Sequence, residues 1–96
     1  KAGNGGGTPI DVILASRRFE REALGRAAAV DLAGWKAPVL VPEDLIAMKL
    51  AAGGPLDIQD AKMLLEIHKG RLDETILGGS CALLKVTLVL TRLRGA

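Results

Sequence analysis

A chain of 96 residues, 49% hydrophobic and 25% charged, makes one small domain and excludes a disordered charged tail. The net charge of +2 comes from 13 basic and 11 acidic residues without a dense basic block, and the aromatic residues are Phe19 and Trp35 alone. That scarcity excludes a base-stacking module, so no nucleic-acid partner is expected. One cysteine, Cys81, and one histidine, His68, exclude a disulfide framework and any multi-Cys or His-rich metal site.

The first seven residues hold four of the 12 glycines and predict a flexible lead-in over residues 1–7, ahead of a domain over residues 8–96. Its GNGGG run lacks the spacing of a phosphate loop and precedes a predicted strand rather than opening a helix. Thr8 to Ala15 (TPIDVILA) reads as a strand, with both faces largely apolar, as in the interior of a sheet. Ser16 can cap a helix running to about Ala28, with Phe19, Ala23 and Ala27 as its stripe. Val30 to Val41 reads as a hairpin turning at Ala33-Gly34, with Pro38 marking an edge or irregular arm.

Pro42 suits the first turn of a second helix, with Glu43 and Asp44 facing the positive end of its dipole. Leu45, Ile46, Met48 and Leu50 supply its buried side, and Gly53-Gly54-Pro55 stops it. Asp57 can cap a third helix from Ile58 to about Lys69, and Asp73 a fourth, weakened by Gly78 and Gly79. Val86 to Leu93 fits a short helix or a strand. The sum is an α+β fold: a small mixed or antiparallel sheet, strand plus hairpin, against four or five helices. No signal peptide is visible, and the longest apolar run, Cys81 to Leu90, carries Lys85 and Thr87 and is far shorter than the roughly 20 residues that span a bilayer. A cytoplasmic protein without a membrane partner is the expectation.

Several residues invite chemistry. Asp11 lies between Ile10 and Val12 on the predicted apolar strand, where an unpaired carboxylate is costly. It either pairs with Arg17, Arg18 or Arg21, reaches an edge, or holds a metal. Lys49 borders the buried stripe of its helix, as a snorkelling lysine or as a point charge for phosphate. Asp57 and Asp60 read as a helix cap with a second acid three residues on. Cys81 reads as a buried structural thiol and His68 as a last-turn residue without a ligand role.

The string PIDVILAS-x-x-FEREAL, a hairpin, and then VPEDLIAMKLAAG-x-P-x-D-x-x-D-x-x-x-LL together resemble a family of small prokaryotic nucleotidyltransferase-like proteins. These are related to minimal nucleotidyltransferases and to nucleotidyltransferase toxins of abortive-infection and toxin–antitoxin systems. The resemblance covers roughly Pro9 to Leu93 and is most specific from Pro42 to Asp60. It implies a mixed sheet with helices, Mg²⁺ as cofactor, an NTP as partner, and transfer of a nucleotidyl group to an acceptor. By position, Asp11 matches the third metal-binding and catalytic carboxylate. Lys49 matches the lysine that would contact nucleotide phosphates, and Asp57 and Asp60 match acids that would order the site.

Departures from the pattern set the functional expectation. The Gly-Ser turn and acidic pair that precede this strand in the family are absent, and Gly54 and Leu56 stand where basic residues are usual. One carboxylate cannot organise two metal ions. The expectation is therefore a truncated or degenerate nucleotidyltransferase-like domain, the C-terminal part only, inactive alone. The alternative is a non-catalytic interaction module, a homo-oligomer or partner subunit whose other chain covers the exposed sheet.

Overall fold

The computed structural model describes residues 9–95, so the glycine-rich lead-in of residues 1–7 lies outside the described residues. The order of elements is α1 (Pro9–Arg26), β1 (Ala28–Leu32), β2 (Trp35–Val39), α2 (Pro42–Ala52), α3 (Pro55–Ile67), α4 (Glu74–Leu83) and α5 (Thr87–Gly95). This is an α+β fold in which one antiparallel hairpin accompanies a helical body.

The predicted strand at Thr8 to Ala15 is corrected: from Pro9 onward this segment is the beginning of α1, and Ser16 lies inside the helix rather than at its start. An interior strand needs neighbours on both edges and cover on both faces. The sheet of the described residues has only β1 and β2, which pair with each other. A helix satisfies its backbone hydrogen bonds locally, Pro suits its first position, and Asp11 in the first turn faces the positive dipole end. Its apolar composition does not suit water on every side. Ile10, Val12, Ile13 and Leu14 remain 68, 51, 52 and 59% exposed.

The hairpin turns at Ala33 and Gly34, both with positive φ (51° and 87°), the twist that suits a two-residue connection. Gly53, at φ 73°, ends α2 and donates its N–H to the Lys49 carbonyl at 3.1 Å. The third helix starts earlier than the Asp57 cap predicted. Pro55 takes the first position and Gly54 the cap, which places Asp57 inside the first turn. Asp73 does cap α4: its carboxylate accepts from the N–H groups of Thr75 and Ile76 at 3.0 and 3.2 Å. The ambiguous segment after Val86 is helix, with Val86 and Leu90 buried.

Helices α2 and α4 form the centre. α2 packs on α3 and α4, while α1 and α5 pack on α4. The core joins Phe19 and Ala23 of α1, Ile46, Ala47 and Leu50 of α2, Ala61 of α3, Leu77 and Cys81 of α4, and Val86 and Leu90. Gly78 and Gly79 lie mid-helix in α4, and a Cβ built on either meets nothing within 4 Å. Alanine there removes backbone freedom from the unfolded chain without a clash. Gly78→Ala and Gly79→Ala should each raise stability by about 0.5–1 kcal/mol in thermal unfolding. A fall would mean that α4 needs its glycines.

Candidate functional site

Two polar clusters stand out, one exposed and one buried. The exposed one lies on the seam between α2 and α3. Lys49 is in the last turn of α2, where a cation suits the helix dipole. The Gly53-Gly54 turn folds α3 back beside it. Asp57 and Asp60, three residues apart, share the face of α3 that meets Lys49. The Lys49 ammonium donates to Asp60 Oδ2 at 3.0 Å and lies 3.7 Å from Asp57 Oδ1. The three side chains are 32, 35 and 43% exposed. The hydrogen bond to Asp60, with the charge of the same carboxylate, raises the Lys49 pKa above the ordinary lysine value. Lys49 is therefore a fixed cation at any physiological pH.

Three of the four sequence-predicted site residues thus meet. Asp11 lies elsewhere, exposed in the first turn of α1. Asp57 and Asp60 both turn to an ammonium, and Asp11 stands on another helix. Among the described residues no group of three His, Cys, Asp or Glu side chains is placed to hold a metal ion.

The buried cluster ties three helices together. Asp44 of α2 is fully buried. Arg26, at the end of α1, donates to it twice: Nε to Oδ2 at 2.9 Å and Nη2 to Oδ1 at 2.8 Å. Ser80 of α4 donates its hydroxyl to Asp44 Oδ1 at 2.6 Å and accepts from Arg26 Nη2 at 3.2 Å. This two-pronged bond raises the Arg26 pKa. Beside it, buried Glu43 accepts the backbone N–H of Asp73 at 2.7 Å and so anchors the start of α4.

Sequence reading placed Glu43 and Asp44 at the helix dipole and passed over Ser80. A signal was present: Glu43, Ile46, Ala47 and Leu50 stand at i, i+3, i+4 and i+7, one helical face. The cluster joins helices: Ser80 and Asp44 are buried, and both are held by Arg26.

Cys81 is fully buried among core residues, and burial pushes its thiol up to about 11 from 9.0. Because the folded value is the higher one, this contribution to stability is intact below pH 9 and is lost as pH rises towards 11. A two-unit rise amounts to about 2–3 kcal/mol. Denaturation at pH 8 and pH 11 should show this loss in the parent and a smaller loss in Cys81→Ala. Equal losses would contradict it.

No helix among the described residues is long and apolar enough to cross a membrane. No protein-family model matches the chain, and neither a curated protein nor a solved structure matches it.

Proposed function

We propose that the chain is the helical part of a nucleotidyltransferase-like domain, non-catalytic as these 96 residues, in which Lys49 is the cation that faces nucleotide phosphates. The observation that supports this reading is the α2–α3 seam, where Asp60 and Asp57 lie 3.0 and 3.7 Å from the Lys49 ammonium. The resembling segment contains this lysine and both acids, and the assigned role of the acids is to order the lysine. An ammonium already held in place loses less freedom when a phosphate arrives. Two carboxylates against one cation also leave the seam with an excess negative charge. That charge opposes an NTP and keeps affinity low.

Intact relatives of the family would transfer a nucleotidyl group from Mg²⁺-NTP to an acceptor. Here Asp11 supplies one carboxylate from a separate helix, too few for that chemistry. Calorimetric titration with Mg²⁺-NTP tests the proposal. Binding weaker than about 1 mM is expected, unchanged by Asp11→Ala. Tight binding that Asp11→Ala abolishes would overturn it.

One observation favours a second reading, a non-catalytic interaction module. The first turns of α1 carry Ile10, Val12, Ile13 and Leu14, each more than half exposed. Apolar surface of this kind marks contact with another chain.

A further inference from the structure

We infer that the groove between α1 and α4 is a binding site for a small organic anion, a carboxylate or phosphate head on a short apolar body. The inference is independent of the Lys49 assignment.

The groove encloses about 400 Å³, within the range of small-molecule sites. Arg18, Glu22 and Arg26 recur every four residues along α1 and form one wall. Two cations thus stand against one carboxylate. Both guanidinium groups are held in place with N–H groups to spare. Arg18 gives Nε to Glu22 at 2.8 Å, and its Nη1 and Nη2 have no hydrogen-bond partner among the described residues. Arg26 turns Nε and Nη2 to Asp44 and Ser80, and its Nη1 has no such partner either. Its side chain stays 27% exposed although the Asp44 carboxylate behind it is fully buried. An arginine is always charged and only donates, so these free N–H groups suit an anionic acceptor. A guanidinium already fixed by its neighbours loses little freedom when that acceptor arrives.

The opposite wall gives the ligand its apolar half. Ile76, Gly79 and Leu83 stand at i, i+3 and i+7 of α4, one helix face, and all three line the groove. Gly79 leaves this wall low. A Cβ built on it meets nothing within 4 Å, and its φ is not positive, so neither packing nor backbone conformation calls for glycine there. Glycine in mid-helix weakens the helix, and close approach of a ligand to the backbone is one use that offsets this. The N–H groups of Thr75 and Ile76 are taken by Asp73, so the arginines rather than the start of α4 supply the donors. The anionic head belongs at the arginines and the apolar body along Ile76 and Leu83.

The experiment is a nuclear magnetic resonance titration of the full chain with hexanoate, hexyl phosphate, acetate and 1-hexanol. At least one of the first two should saturate shifts at Thr75, Gly79 and Ser80 with a Kd of about 1 mM or below, and the tighter of them identifies the head group. Acetate lacks the body and hexanol the charge, so each should bind at least tenfold more weakly. Gly79→Leu fills the groove and should weaken binding more than tenfold with helical circular dichroism unchanged. Arg18→Gln should weaken it severalfold, and this exposed substitution decides the matter if Gly79→Leu disturbs α4. Gly78→Ala, outside the groove, should leave binding as it is. Arg26 is kept, since its loss strands buried Asp44. No saturation by either anion up to about 20 mM would overturn the inference, as would hexanol binding as well as hexanoate. Binding that survives both Gly79→Leu and Arg18→Gln, or shifts confined to the Lys49 seam, would overturn it too. Each of these failures leaves the Lys49 reading to its own test.

Discussion

Asp44→Ala should cost about 3–5 kcal/mol, enough to bring a 96-residue domain close to unfolding under mild conditions. Asp44 is fully buried, and its two oxygens accept three hydrogen bonds from two other helices. Removing it leaves the Arg26 guanidinium, 27% exposed, without its carboxylate, and a buried Ser80 hydroxyl without its acceptor. The cost comes from the orphaned partners more than from the lost attraction. Arg26→Met should therefore be harmful too, since it buries an unpaired carboxylate. The double substitution Arg26→Met with Asp44→Leu should recover much of the loss. Urea denaturation of the parent, Arg26→Met, Asp44→Leu and the double variant measures the coupling. An Asp44→Ala domain within about 1 kcal/mol of the parent would show that the network holds nothing together.

Leu77→Ala should be the most harmful simple truncation in the core, at about 2–5 kcal/mol. Leu77 is fully buried in α4, the helix that packs on α1, α2 and α5. Its neighbours in the cluster come from separate helices, so a void there is not filled by moving one element. The melting temperature should fall by on the order of 15 °C for a domain of this size. Leu56→Ala and Leu88→Ala, at 75 and 73% exposure, should stay within about 0.5 kcal/mol and serve as comparisons. Equal effects at Leu77 and Leu56 would contradict the core described above.

The hairpin and helices α2 to α4 were legible because the chain punctuates them, whereas the β-branched residues after Val86 left α5 open between helix and strand. Ala33-Gly34 turns the hairpin, Pro42 opens α2, Gly53 closes it at positive φ, and Asp73 caps α4 with its own carboxylate. The start of α1 was not legible. An apolar run such as Pro9 to Ala15 suits a buried strand or a helix equally well, and the deciding fact is whether other strands are present to pair with it. Asp57 was displaced from cap to first turn because Pro55 starts a helix more readily than Asp57 caps one. That shift brings Asp57 beside Lys49.

The candidate site was half legible. Asp57 and Asp60 lie on one helix face by spacing alone, but their meeting with Lys49 depends on the fold of the Gly53-Gly54 turn. The buried cluster was hidden for another reason. Acids at a helix start normally serve the dipole in water, and nothing local announces that Arg26, eighteen residues earlier, covers Asp44. The spacing of Glu43 with Ile46, Ala47 and Leu50 was the one signal for its burial, and sequence reading assigned Glu43 to the helix dipole instead.

The proposed role of Lys49, a phosphate-facing cation oriented by Asp57 and Asp60 in a non-catalytic chain, is tested by a Mg²⁺-ATP titration of labelled chain observed at the Lys49 ammonium by nuclear magnetic resonance. Small, fast-exchange shifts at Lys49 with a Kd above about 1 mM are expected. Asp57→Asn with Asp60→Asn removes the charge that opposes the nucleotide, so the same shifts should appear at lower nucleotide concentration, and no nucleotidyl transfer should occur. A Lys49 signal that stays still while other residues respond would contradict the claim, as would tight binding that depends on Asp11.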